Sequence, residues 1–259
     1  MRFQKQAGSA DEQQALDNLL LIAAREPIPG QTKTRLGATI GMESAAVLYR
    51  AFLCDLAARF TPEPGAVDAY TLGWAFSPPS CDFQSALSAI HPAALQPSVR
   101  FVPQAGHDWG VRQTNLLRWG RDQGFTQTVL TASDSPQMSA ATIDEAFAAL
   151  RTHDVVLGRV LDGGYFLIGM RGFHDVLSGV PMSTASAADA LVARAKAMDL
   201  TVAEVPAIFD VDTGADLALL ELFLDQHSDA APATARALAG LELVRDSPSC
   251  GSSPGDRVL

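Results

Sequence analysis

Aspartates follow apolar runs at three places in the chain: Asp134 in "SDSP", Asp162 in "LDGG", and Asp210 with Asp212 in "DVDT". A fourth apolar run, "NLLLIAAR", empties into "EPIPGQTKTRLG", which brings Lys33 and Arg35 close to Arg25. Carboxylate oxygens suit hard divalent ions such as Mg²⁺ or Mn²⁺, which share their coordination with phosphate. A loop of Gly, Thr, Lys and Arg leaving a strand suits the phosphate itself. It is not a Walker A loop, because Thr32 stands where that pattern needs a glycine before the lysine. The basic loop would then hold the phosphate charge that the metal does not neutralise. Each motif also has an ordinary reading. Asp134 can cap a helix, "DGG" can be a turn, Asp212 or Thr213 can start a helix, and the basic loop can be solvated charge.

The elements that must position these residues alternate. Short continuous apolar runs, such as Asn18–Ala24, are what central parallel strands give. Further strands are expected over 66–75, 98–104, 126–132, 154–160, 165–170 and 201–209. Helices are expected over 42–60, 109–124, 139–153 with Ser139 as N-cap, 183–200 and 214–227. This is an α/β chain with a mostly parallel sheet flanked by helices. In such sheets ligands bind beyond the carboxyl ends of the strands, so the three acidic exits and the basic loop are expected to face one crevice. Residues 1–17 read as a polar extension and 18–227 as one domain. Residues 228–259 read as one further helix over 232–244 and a Ser, Gly and Pro-rich tail expected to be disordered.

Composition narrows the function. Nineteen Lys and Arg against 29 Asp and Glu give a net charge of −10, which disfavours nucleic acid as a partner. No apolar run is long enough to cross a membrane and the N-terminus lacks the apolar core of a signal peptide, so a cytoplasmic protein is expected. The three cysteines, Cys54, Cys81 and Cys250, have neither disulfide-framework nor zinc-site spacing, and Cys54 is expected in the core. GxSxG, HExxH and strand-following GxGxxG patterns are missing. His107, in "QAGHDWG", reads as a surface-loop histidine at a strand exit.

The ordered set "LLLIAAREPIPGQTKTRL", "LTASDSP", "DVVLGRVLDGGYFLIGM", Ser183–Thr184 and "DVDTGADL" resembles the bacterial radical-SAM/selenodomain-associated transferases, arsenosugar-type glycosyltransferase-like proteins. These belong to the nucleotide-diphospho-sugar transferase (GT-A) superfamily. The chain is also similar to 2-phospho-lactate guanylyltransferase. The resemblance spans about Asn18 to Phe223 and implies a Rossmann-like three-layer fold. It implies a metal-dependent enzyme acting on a nucleoside triphosphate or nucleotide sugar and a small acceptor. Nucleotidyl transfer to a phosphate- or phosphonate-bearing acceptor is the first expectation and glycosyl transfer the second. A nucleotide-binding protein without catalysis is the third, and a homodimer is left open. The implied catalytic residues are Lys33, Arg35, Asp134 and Asp162. Ala24, Arg25, Pro29, Gly30, Gln104, Asp108, Arg112 and Ser133 would join Lys33 and Arg35 around the nucleotide. Asp162, Gly163, Gly164, Ser183 and Thr184 would line the acceptor, and Asp134 with Asp212 would hold Mg²⁺ or Mn²⁺. Met182 stands where the family commonly has tryptophan.

Overall fold

The computed structural model describes residues 17–63, 70–182 and 184–246. Seven strands form one sheet: β1 (Asn18–Arg25), β2 (Thr71–Ser77), β3 (Arg100–Pro103), β4 (Gln127–Ala132), β5 (Val155–Val160), β6 (Tyr165–Arg171) and β7 (Val202–Ile208). Their order is β3-β2-β1-β4-β6-β5-β7. All pairings are parallel except those of β6, which runs antiparallel to both β4 and β5. The reason is local. Only residues 161–164 separate β5 from β6, and so short a connection can turn a hairpin but cannot make a parallel crossover. Asp162 accepts a hydrogen bond from the Gly164 N–H at 2.9 Å and so closes the turn.

Alternate residues of β1 feed two cores. Leu20, Ile22 and Ala24 face one, Leu19, Leu21 and Ala23 the other, which is why this strand is apolar throughout. The first core is covered by α1 (Thr34–Ile40), α2 (Met42–Phe60), α3 (Phe83–Ile90), α5 (Ala140–Leu150), α7 (Gly214–Gln226) and α8 (Pro232–Asp246). The second is covered by α4 (Trp109–Asp122) and α6 (Ala187–Ala197). The result is three layers, helix on sheet on helix. Trp74 lies fully buried among the residues of the first core. Cys54 departs from expectation: it lies within α2 but is only partly buried.

Caps set several helix starts. Ser139 accepts from Thr142 N at 3.2 Å, and Thr213 with Asp216 forms a reciprocal capping box at the start of α7. Buried Asp55 on α2 accepts from the N–H groups of Ala233 and Thr234, both at 2.8 Å, and fastens α8 to the domain. Residues 1–16 of the expected extension 1–17, residues 66–69 of the second expected strand and the tail from 247 lie outside the described residues. Among the described residues no helix is long and apolar enough to cross a membrane.

Candidate active site

The chain leaves β1, builds β2 and β3 outward on one side, and returns to place β4 on the other. The crevice at this reversal opens beyond the carboxyl ends of β1 and β4, where open α/β sheets hold ligands. Because β4, β5 and β7 run with β1, their exits carry Asp134, Asp162, Asp210 and Asp212 to the same edge.

The loop after β1 is stitched to itself. Thr32 is buried and donates its hydroxyl hydrogen to the Glu26 carbonyl at 2.6 Å. Lys33 follows in the left-handed region, with φ 52° and ψ 43°, a conformation uncommon for a residue with a side chain. The Lys33 side chain, 4% exposed, runs inward, with Nζ 2.5 Å from Asp134 Oδ1 and 2.8 Å from Asp212 Oδ1. A third hydrogen bond, of 2.8 Å, goes to the Val211 carbonyl. An ammonium has three donors, and all three are taken. The sequence suggests that Lys33 reaches for phosphate; here it is spent on carboxylates. Burial alone would lower the Lys33 pKa, but the two carboxylates outweigh it and the net shift is upward, so the amine stays charged. For Asp212 burial works against ionisation, and Lys33 and Arg35 reverse it, leaving the carboxyl below its ordinary range.

Backbone stitches hold the two carboxylates in register. Val211 N–H donates to the Asp134 carbonyl at 3.0 Å. Ser135 and Gln137 both donate to the Phe209 carbonyl, at 3.0 and 2.7 Å. Arg59 braces the same loop through the carbonyls of Pro136 and Met138, both at 2.8 Å, and also grips the Ala230 carbonyl. Tyr49 ties β1 to β4. Its hydroxyl accepts from Arg25 N–H at 3.0 Å and shares a 2.7 Å hydrogen bond with the Ser133 hydroxyl. Burial, then the Asp134 charge, pushes this phenol up to about 12.

Two cavities meet at Asp134 and Asp212. The first, of about 350 Å³, is lined by Ala24, Arg25, Lys33, Arg35, Gln104, Arg112 and Ser133 among others. Gln104 donates from Nε2 to the carbonyls of Ala75 and Ala24, at 2.8 and 3.4 Å. A flipped amide would set oxygen against oxygen there, so Oε1 is the atom left without a partner among the described residues. The second cavity, of about 510 Å³, is lined by Asp162, Gly164, Thr184 and Asp210 with Trp109, Gln113, Tyr165 and Met182. Arg35, Trp109, Ala132, Asp134 and Asp212 line both.

Most residues expected around a nucleotide therefore line the first cavity. Pro29, Gly30 and Asp108 do not. Asp108 instead caps α4, accepting from Val111 N at 2.8 Å, and pairs with exposed His107. Gly163 lines neither cavity. With φ +90° and only 2.0 Å between a built Cβ and the Ala185 carbonyl oxygen, its position admits glycine alone. Ser183 lies outside the described residues. Tyr49, Trp109, Gln113 and Tyr165 line the cavities but were missed by sequence reasoning; Tyr49 and Tyr165 sit inside apolar helix and strand patterns and read there as packing, and Trp109 and Gln113 lie on the mixed polar helix α4 without a motif to mark them. Asp210 was visible as a strand exit without a role. Burial first, then the charges of Asp212, Asp162 and Asp134, raises its carboxyl from 3.8 to about 6.

A family model described as "Uncharacterized protein conserved in bacteria (DUF2064)" matches residues 79–184. A search of curated proteins found no match to the sequence. Among solved structures, the chain is similar to a protein provisionally assigned as a nucleotide-diphospho-sugar transferase from Desulfovibrio desulfuricans G20. The TM-score is 0.76 at 28% identity, over 88% of this chain and 97% of that one. It shares its fold with the 4-diphosphocytidyl-2C-methyl-D-erythritol synthase of Anaerococcus prevotii DSM 20548, at TM-score 0.54 and 10% identity, over 84% of this chain and 100% of that one. A nucleotidyl transferase from Methanothermobacter thermautotroptrophicus matches at TM-score 0.50 and 15% identity, over 81% of this chain and 98% of that one. The fold is thus the mostly parallel α/β fold of nucleotidyl- and nucleotide-sugar transferases.

Proposed function

We propose that the chain is a metal-dependent transferase that takes a nucleoside triphosphate and passes its nucleoside monophosphate unit to a small acceptor, releasing pyrophosphate. One observation carries the reading: two cavities meet at Asp134 and Asp212, with the charged Lys33 buried between those carboxylates. The first cavity takes the donor, with Arg25, Arg35 and Arg112 as cations for its phosphates and Gln104 Oε1 as an acceptor for a donor group on the base. The second takes the acceptor.

The donor set fits Mg²⁺ or Mn²⁺. Among the described residues no group of three or more His, Cys, Asp or Glu side chains is placed to hold an ion alone. That suits Mg²⁺, which commonly takes one or two carboxylates and completes its shell with water and substrate phosphates. Asp134 and Asp212 converge on one cation, and Asp134 Oδ2 has no protein partner among the described residues. When bound, the metal would supply charge stabilisation for the phosphate oxygens. Arg35, 72% exposed and paired with Asp212, can turn from that carboxylate to a phosphate. In the transfer, an acceptor hydroxyl oxygen forms a bond to the α-phosphorus. The bond from that phosphorus to the oxygen bridging toward the β-phosphate breaks, and its electron pair leaves with pyrophosphate. Asp162, whose second oxygen is free of the turn, takes the hydroxyl proton.

A second reading, transfer of a sugar from a nucleotide sugar, draws support from the assignment of the Desulfovibrio protein. A thermal-shift panel of four nucleoside triphosphates and common nucleotide sugars, with Mg²⁺ or Mn²⁺, separates the two. A ligand at about 100 times its Kd adds roughly 2.7 kcal/mol of stability. Stabilisation by a triphosphate at least as strong as by any nucleotide sugar, with pyrophosphate release on adding an acceptor, supports nucleotidyl transfer. Stabilisation by nucleotide sugars alone refutes it.

A further inference from the structure

The second cavity has a charge pattern that selects its ligand. Four carboxylates line it, those of Asp134, Asp162, Asp210 and Asp212, against the single guanidinium of Arg35. Lys33 bridges Asp134 and Asp212, and Arg35 pairs with Asp212. Asp162 and Asp210 have no cationic partner among the described residues, although both line the cavity. A metal-bound triphosphate next door is itself a net anion and adds to the negative field.

The rest of the lining points the same way. Gln113, 1% exposed, donates from Nε2 to the Tyr165 hydroxyl at 2.9 Å, and Tyr165 passes its own proton toward Met182 Sδ at 3.4 Å. Gln113 Oε1 is then a buried side chain's acceptor with no partner among the described residues. Free carboxylate oxygens, an amide oxygen and the aromatic surface of Trp109 and Tyr165 make a lining rich in acceptors and π-density. An ammonium brings three donors and no acceptor, and aromatic surface attracts cations. A phosphate brings only acceptors and negative charge, and meets repulsion from the unpaired carboxylates of Asp162 and Asp210.

We infer that this cavity takes a hydroxyl-bearing acceptor that carries a protonated amine and no phosphate or carboxylate, an amino alcohol or amino sugar held between Asp162, Asp210, Gln113 and the aromatic wall. The inference rests on the reading of the cavity as the acceptor half of a transferase. It replaces the phosphate- or phosphonate-bearing acceptor that the sequence resemblance suggests.

The test uses three probes of one shape: tyramine, the neutral alcohol tyrosol, and 4-hydroxyphenylacetate. Dissociation constants are measured by ligand-observed NMR on the full chain, with Mg²⁺ and a non-hydrolysable triphosphate, and again without nucleotide. Tyramine is expected to bind about three- to tenfold tighter than tyrosol, with 4-hydroxyphenylacetate weakest. Asp162→Asn with Asp210→Asn is expected to bring tyramine within about twofold of tyrosol while triphosphate affinity persists. Tighter binding of 4-hydroxyphenylacetate, equal binding of all three, or a tyramine preference that survives the double substitution overturns the inference. Loss of triphosphate binding with the tyramine preference intact overturns the transferase reading instead, and leaves the cavity's preference for cations standing.

Discussion

Replacing Lys33 by methionine removes the cation on which the site is built and keeps most of the side-chain volume. The amine lies 2.5 and 2.8 Å from two carboxylates and is 4% exposed. Breaking a buried ion pair by deleting one partner costs about 3–5 kcal/mol, chiefly because the other charge stays buried. Asp134 and Asp212 keep 37% and 27% of their side-chain exposure, so water recovers part of that. A loss of about 2–4 kcal/mol remains, which for a chain of this size lowers Tm by about 4–16 °C. The loss has a signature that packing defects lack. Without the amine, the carboxylates face each other across a gap fit for another cation, so Mg²⁺ should raise the Tm of Lys33→Met more than that of the parent. The assay is calorimetric melting of both proteins, nucleotide-free, with EDTA or with Mg²⁺. A variant that melts with the parent, or equal Mg²⁺ effects on both, refutes the argument.

Other outcomes follow from the same geometry. Arg35→Ala should weaken triphosphate binding by about 1.5–3 kcal/mol in a titration calorimeter, the worth of a charged hydrogen bond, with Tm little changed because the side chain is exposed. Asp210→Asn should raise Tm in metal-free, nucleotide-free buffer at about pH 8. The folded protein holds the Asp210 proton more tightly than the unfolded chain does, so the cost of ionising it is absent near pH 4, grows as pH rises toward about 6, and is constant above. The gain should therefore shrink as pH falls through 6 and vanish near 4; a gain independent of pH would contradict the cause assigned here. Arg59→Met strips the braces from the Pro136, Met138 and Ala230 carbonyls and should cost about 2–3 kcal/mol in urea unfolding. Arg59→Lys should recover only part of that, since one ammonium cannot replace the guanidinium fork.

What the sequence made legible was whatever depends on neighbours along the chain. The run Asn18–Ala24 reads as a two-sided central strand, and the period over Met42–Phe60 matches α2 at both ends. Ser139 is the cap it reads as. Short or interrupted elements were lost. Helix α1 is seven residues with Gly37 in its middle, and α3 is eight residues hidden behind a Pro and Ser-rich approach, although Asp82 caps it. The expected helix over 183–200 shrinks to Ala187–Ala197, Thr184 being spent before it on a turn bond to the Pro181 carbonyl at 2.8 Å. In the site, the acidic exits were legible because the sheet's polarity brings strand ends together. The role of Lys33 was not. Its partner Asp212 lies 179 residues away, and nothing near Lys33 in the chain shows that its three donors will be occupied. Tyr49 and Gln113 were invisible for a related reason: the functional atom is the tip of a side chain whose body is core.

The central claim is that Asp134 and Asp212 hold the ion that a donor nucleotide shares, at the boundary of the two cavities. Anomalous diffraction from crystals grown with Mn²⁺ and a non-hydrolysable nucleoside triphosphate tests it most directly. The account predicts one Mn²⁺ peak within coordination distance of both carboxylates, about 2.0–2.3 Å from oxygen, with the triphosphate in the first cavity and the second left open. A triphosphate bound elsewhere, or a Mn²⁺ peak that touches neither Asp134 nor Asp212, would contradict it.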